Sequence, residues 1–591
     1  MRVIGFIKSF LLLVTLLFSL LDLSANEFMA VDELKPGMKG YGLTVFKGTA
    51  IDTFDVEIVD IMKNDMIKGD IILAKISGKV VDTAGVISGM SGSPIYIYAS
   101  NPSVKIQKSK LIGALAYSFT IFAKEHLAGI TPINEMLKTE NRRQKTEDRY
   151  PKSKIQNPKS QYQEQKTEDR GQNAGDRNQR GAPPRQSGIS APLQLKLPIS
   201  CDWLPTTLLD ELETQFPNFY FLKTQSSGVK DDSLIPSPGS ALGIPFVVGD
   251  IVLGVIGTCT YKEGNKIYAF GHPLAALGET DLPMTAGYIY SVVSSGMDSY
   301  KLGVPTKIIG TIKNDNSRGI VGEIGKMPNL VEMNLMLNGE LFHYQIIKEK
   351  TFLSFLFKGL VFYSIGTQIK LTGDITAEAT LEITGSKNFS FKTICTGAPE
   401  NITNAMAEIF DLIQNNPFQK IDIHSIRIDL ITSDTIKLAK IDAVIADKKE
   451  VAPGDSLNLL ISLLTYRGSK VKKHLKLAIP QCVKKGTLLI NIEEGRMVRN
   501  QARSHITTID ELQRWLSTSP KDNEIIITLT QKGKSSWIGG QEFHSLPPSI
   551  VLFMEEGGKT SNIQGENKLF ELRIPTEWVI TQKKTIELEV K

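Results

Sequence analysis

A long polar stretch divides this chain before anything else about it can be read. From Lys138 to about Ser190 there is almost no large apolar side chain, and Gln, Lys, Arg, Asn, Asp, Pro and Gly dominate. Such a segment cannot bury enough surface to offset the entropy of ordering it. Residues 138–190 are therefore expected to be a disordered linker between separately packed parts, and a natural place for proteolytic nicking. Gln144-Lys145-Thr146-Glu147-Asp148-Arg149 recurs as Gln165-Lys166-Thr167-Glu168-Asp169-Arg170, a local duplication. Between Lys138 and Arg185 there are 13 Lys and Arg against 7 Asp and Glu, which accounts for the net charge of +5 on all 591 residues. The remainder is close to neutral, so no basic face argues for nucleic acid. A nucleic-acid tether made of the linker alone would show strongly salt-dependent binding.

On both sides of the linker the pattern is that of β-structure. Phe54 to Ile61 alternates in period two, and Tyr41–Phe46, Asp70–Ile76 and Leu111–Phe119 read as further strands. Ala128–Ile133 leads into a short helix ending near Leu137. After the linker, Thr206 to Gln215 reads as a helix. Val252–Tyr261 and Lys266–Phe270 flank a Lys262-Glu263-Gly264-Asn265 turn. More strands are expected near 289–293, 307–312, 331–337, 342–347, 368–372 and 377–383. Pro399–Gln414 is a helix with Ile402, Met406, Ile409 and Ile413 on one face. Leu457, Leu459, Ile461 and Leu463 alternate in a third β region, which predicts a β-sandwich. The apolar cluster 352–365 contains Lys358 and suits a core.

The amino terminus has the form of an export signal. Arg2 and Lys8 precede an apolar run from Phe10 to Leu21, and Leu23-Ser24-Ala25 offers a small-residue cleavage site. A retained anchor is the alternative, although the run is short for a span. The chain is thus expected in the periplasm, cell envelope or extracellular space, without a membrane span once the signal is removed. Cys201, Cys259, Cys395 and Cys482 lie far apart, so no zinc or redox spacing is present. Export permits disulfides, but buried free thiols are the simpler expectation. No cofactor or metal is called for.

The chemistry concentrates in Gly89-Met90-Ser91-Gly92-Ser93-Pro94. Glycines around a serine allow a tight turn and close approach of a substrate carbonyl. Serine is a weak nucleophile and needs a base. Of seven histidines, His126, His343, His424, His474, His505 and His544 have no special context. His272 ends a strand between Gly271 and Pro273.

The serine loop, with the strand Leu111-Ile112-Gly113-Ala114-Leu115-Ala116-Tyr117, resembles the serine segment of the SpoIVB (stage IV sporulation protein B) family of serine peptidases. Leu34-Lys35-Pro36-Gly37-Met38-Lys39-Gly40-Tyr41-Gly42 and Gly129-Ile130-Thr131-Pro132-Ile133 resemble envelope proteins carrying that domain. Gly257-Thr258-Cys259-Thr260, Ala269-Phe270-Gly271-His272-Pro273, Ile309-Gly310-Thr311-Ile312, Asp315 and Gly319-Ile320-Val321-Gly322 resemble the family's histidine segment. The resemblance implies a trypsin-like fold of two β-barrels, with Ser91 as nucleophile, His272 as general base, and the backbone N–H groups of Gly89 and Ser91 as oxyanion hole. It departs from the family twice. The serine segment comes first, whereas in the sporulation peptidase the histidine segment does. The window where the family has its aspartate is Lys75-Ile76-Ser77-Gly78, without an acid. No third member is carried over; Asp82 and Asp281 are merely near the two segments.

The expected architecture is mainly β. A signal peptide (1–25) precedes a serine-bearing unit (31–137), the linker (138–190) and a histidine-bearing unit (191–390). A helix-containing connector (391–440) and a sandwich-like region (441–591) follow. The expected function is that of an exported serine endopeptidase acting on protein or peptide substrates by acyl transfer, with self-processing at the linker as one outcome. The alternative is a catalytically weak or inactive binding or scaffold protein of the envelope.

Overall fold

The computed structural model describes residues 27–591 except 67–68, 100–107, 120–124, 139–192, 201–205, 223–233, 297, 369–372, 504–505, 539–540, 545–546, 548, 551–552 and 554–559. The expected signal peptide, the linker from residue 139 on, Cys201 and residues 369–372 of the strand expected at 368–372 lie outside the described residues, while Lys138 and Gln368 each end a helix.

The serine-bearing part is a closed barrel. Its strands are β1 (Lys39–Val45), β2 (Ile51–Met66), β3 (Gly69–Ser77), β4 (Pro94–Ala99), β5 (Lys108–Ser118) and β6 (Leu127–Pro132). They run in the order β4-β1-β2-β3-β6-β5, and β5 returns to pair with β4. Every pairing is antiparallel. The period-two pattern dictates the lining: Phe54, Val56 and Ile58 are buried, while Asp55 and Glu57 between them face water. Closure leaves no open sheet edge in the ring. A short helix over 133–138 follows β6, as expected.

The chain re-enters at β7 (Leu193–Gln194), a two-residue strand paired with β5. It crosses at once to β8 (Leu197–Ser200), paired with the next barrel and with β9 (Phe219–Leu222). That second barrel comprises β10 (Ala241–Gly249), β11 (Leu253–Glu263), β12 (Lys266–Ala269), β13 (Gly278–Val293), β14 (Tyr300–Asn316) and β15 (Gly319–Ile324). The order β10-β13-β14-β15-β12-β11 closes through a β10–β11 pairing, again antiparallel. The two longest strands of this barrel, β13 and β14, far exceed the short segments expected there from the sequence. Their register shifts at several bulges, which breaks the period along each strand.

Beyond the ring, β16 (Leu330–Leu337), β17 (Glu340–Ile347), β18 (Ile375–Gly385), β19 (Phe389–Gly397) and β20 (Ile423–Ser433) extend the sheet through β17 and β10. The apolar cluster 352–365 forms most of a buried helix, Lys350–Gln368. It packs on the helix Pro399–Gln414, where the Phe357 and Phe410 rings stack at 4.3 Å. Among the described residues no helix is long and apolar enough to cross a membrane.

The carboxy-terminal part stacks a four-stranded and a six-stranded sheet. Leu457, Leu459, Ile461 and Leu463 from one meet Leu488, Ile490, Ile525 and Ile527 from the other in one core. The helix Ile509–Thr518 turns away from it and buries Leu512 and Trp515 in the core of the large sheet. Cys259 and Cys395 are buried free thiols; Cys482 is also free but exposed.

Candidate active site

The serine loop lies between the barrels and is bound to both. Gly92 N–H donates to Leu115 O (2.8 Å) and Leu115 N–H to Ser93 O (3.0 Å), which fixes the loop on β5. From the second barrel, Thr258 N–H donates to Ser91 O (2.8 Å), Thr258 Oγ1 to Gly89 O (3.1 Å) and Thr260 Oγ1 to Gly92 O (2.8 Å). Gly92 is required twice over. Its φ is +94°, and a Cβ there would stand 2.0 Å from Thr258 O.

With the carbonyls of Gly89, Ser91 and Gly92 drawn toward β11, the amides divide. Met90 N–H is used by Ile87 O and Ser93 N–H by Met90 O. The N–H groups of Gly89 and Ser91 have no hydrogen-bond partner among the described residues. The two serines also separate. Ser93 Oγ donates to Met90 O (2.7 Å), whereas the buried Ser91 Oγ has no partner.

His272 comes from the turn after β12. Phe270 and Gly271 both have φ +69°, a left-handed pair that is strained for phenylalanine. The strain is held by packing: Phe270 is fully buried, and Thr131 Oγ1 of the first barrel donates to Gly271 O (2.6 Å). A Cβ on Gly271 would meet Ala114 Cβ at 2.9 Å, so only glycine lets this turn close on β5. His272 is itself fully buried, and its Nε2 has no partner. Burial pulls its pKa down to about 4, against a smaller upward effect of the Pro273 carbonyl. The ring is therefore neutral at ordinary pH. Its Nε2 and the Ser91 Oγ do not bond each other in this closed arrangement.

Neither acid near the segments reaches the ring. Asp82 accepts from Gly78 N–H on the surface, and Asp281 pairs with Lys313 and accepts from Asn329 N–H. Asp315 is the acid that matters to the loop. It is buried and accepts from the N–H groups of Leu274 (2.7 Å), Ala275 (2.8 Å) and Leu277 (3.0 Å), so it shapes the chain after His272 rather than its ring. Burial raises its pKa, and the backbone donors oppose that rise.

Two residues near the site have no motif. Gln194 on β7 places its Nε2 2.9 Å from His272 Nδ1 and 3.0 Å from Pro273 O. The alternation Leu193-Gln194-Leu195-Lys196-Leu197 is the signal that marks a strand there. Lys301 on β14 is fully buried, with its stem 3.3 Å from where a Cβ on Gly89 would lie, and its Nζ donates to Thr44 Oγ1 (2.6 Å) on β1. Burial alone lowers its pKa to about 7. A cavity of about 540 Å³ adjoins these residues, lined in part by Gly85, Ser88, Ser118, Gln194 and Ser299. No cluster of three or more metal-ligating side chains occurs among the described residues.

Residues 26–137 match the model of the SpoIVB peptidase S55 family. That stretch contains the first barrel and Ser91 and ends before His272. No curated protein and no solved structure matches the chain. The barrel that carries Ser91 is thus similar, at family level, to that of the SpoIVB-type serine peptidases.

Proposed function

We propose that this chain is an exported serine endopeptidase that cleaves proteins or peptides by acyl transfer, with Ser91 as nucleophile and His272 as general base. One observation carries the reading. Ser91 Oγ and His272 Nε2, both buried, and the N–H groups of Gly89 and Ser91 all lack partners among the described residues, in a loop where neighbouring groups are satisfied. Buried polar atoms left open in this way need a reason, and a reacting carbonyl supplies one.

His272 Nε2 takes the Ser91 proton as Oγ attacks the carbonyl carbon, and the oxyanion accepts from the Gly89 and Ser91 N–H groups. The tetrahedral species expels the amine, which leaves with the proton from His272. Water then repeats the sequence on the acyl-enzyme, releasing the acid and restoring Ser91. Because Ser91 and His272 are fully buried, the resting protein is latent, and substrate reaches the pair only when the surface over them parts. The 138–190 segment between the two barrels is one proposed substrate. The serine barrel preceding the histidine barrel is read as the family's site built in exchanged chain order.

A serine-directed fluorophosphonate tests this. Wild type should label, and Ser91→Ala and His272→Ala should not. The labelling rate should hold as pH falls below 6 and drop only near pH 4, because the ring stays neutral until then. Equal labelling in wild type and Ser91→Ala refutes the assignment. The second reading, an envelope scaffold without turnover, is favoured by the absence of a carboxylate at His272 among the described residues. It predicts no labelling and no cleavage in any of the three proteins.

A further inference from the structure

The position at His272 Nδ1, where a serine triad has its carboxylate, is filled by an amide. Gln194 Nε2 lies 2.9 Å from Nδ1 and 3.0 Å from Pro273 O, and Nδ1 itself lies 2.8 Å from Pro273 O. The three atoms make a nearly equilateral triangle. Nδ1 and Pro273 O are thus about 60° apart as seen from the amide nitrogen, half the roughly 120° between its two hydrogens. A hydrogen donated to Nδ1 would leave Nδ1 and Pro273 O facing each other at 2.8 Å as two acceptors. The arrangement that satisfies all three atoms has both nitrogens donating to Pro273 O, whose carbonyl has two lone pairs. The imidazole proton then sits on Nδ1, and the lone pair of Nε2 faces the place where a base is needed.

The backbone of Gln194 gives this contact its second purpose. Gln194 and Leu193 pair with Tyr117 and Ser118 of β5, and Leu195 N–H donates to Ala116 O (3.1 Å). The adjacent residue of β5, Leu115, holds Gly92 of the serine loop. One strand therefore references both partners: the serine directly, and the histidine through the Gln194 side chain, which crosses to the other barrel. We propose that Gln194 is a positioning residue of the Ser91–His272 pair, setting the tautomer of His272 and its register against the serine barrel. This rests on the peptidase reading of the site for its consequence, but its geometric content does not.

The experiment uses the full-length protein as Gln194→Ala, as Gln194→Met, which keeps the volume without the amide, and as Gln194→Glu. Two readouts are taken: the rate of fluorophosphonate labelling against pH, and the ¹⁵N-histidine signals of His272, identified by their loss in His272→Ala. Gln194→Ala and Gln194→Met should slow labelling tenfold or more and redistribute the ring proton between Nδ1 and Nε2. Gln194→Glu should restore or exceed the wild-type rate and move the ring's titration to higher pH. Wild-type ring signals in both the Ala and Met variants overturn the proposal, as does unchanged labelling in a wild type that labels. If wild type never labels but the ring signals follow Gln194, the positioning role stands and the peptidase reading falls.

Discussion

The two halves of the site are held in place by opposite means. The serine loop takes most of its fixing contacts from the other barrel: Thr258 and Thr260 of β11 hold the carbonyls of Gly89, Ser91 and Gly92. The histidine turn is shaped mainly from within its own barrel, by Asp315 and the packed Phe270. The open amides of Gly89 and Ser91 thus lie in a loop fixed by barrel docking, while the His272 turn is braced by Asp315 of its own barrel and pinned only at Gly271 O by Thr131 and at the ring by Gln194.

Lys301 gives the largest test of that interface. It belongs to the second barrel and buries its amine against Thr44 of the first. The unfolded chain holds this proton up to pH 10.5, whereas the folded protein releases it near pH 7. Stability should therefore rise with pH across that window, by about 1.4 kcal/mol per unit. Lys301→Met should remove the slope and raise the denaturation midpoint at pH 7. An unchanged slope would mean that the amine is solvated or paired.

Asp315→Ala attacks the other half. It orphans three backbone donors around a buried acceptor and should cost about 3 kcal/mol. The loss should appear in hydrogen exchange of residues 274–277 while the serine barrel keeps its protection. Exchange rising equally in both barrels would erase the contrast drawn above.

Thr258→Val is the mildest change. It removes the hydroxyl bond to Gly89 O, keeps the backbone bond to Ser91 O, and should cost about 1 kcal/mol in stability. Its effect on fluorophosphonate labelling should be larger than its effect on the denaturation midpoint, because the Gly89–Met90 peptide next to Ser91 is then free to rotate. Equal effects would show that the threonine only packs.

Much of this was legible in the sequence. Period-two alternation marked β2 and the sandwich strand through Leu457–Leu463, a Gly-Asn turn marked β11, and the periodic face of Pro399–Gln414 matched the helix to the residue. Ser91 and His272 stood out because glycine and proline at a turn report on the backbone itself. The lengths of β13 and β14 were hidden by bulges, which break the alternation. The parallel pairing of β16 with β20, Glu332 opposite Ser425, spans too long a loop for any local pattern to announce.

The chain by itself determined the β class and which serine and histidine are set in tight turns, since both follow from local composition and backbone sterics. Only the tertiary structure decided that both sheets close into barrels, that Asp315 braces the loop and not the ring, and that Gln194 lies against Nδ1 of His272. Those are outcomes of register and docking. A polar residue such as glutamine carries no sign of its partner until a strand sets it beside one.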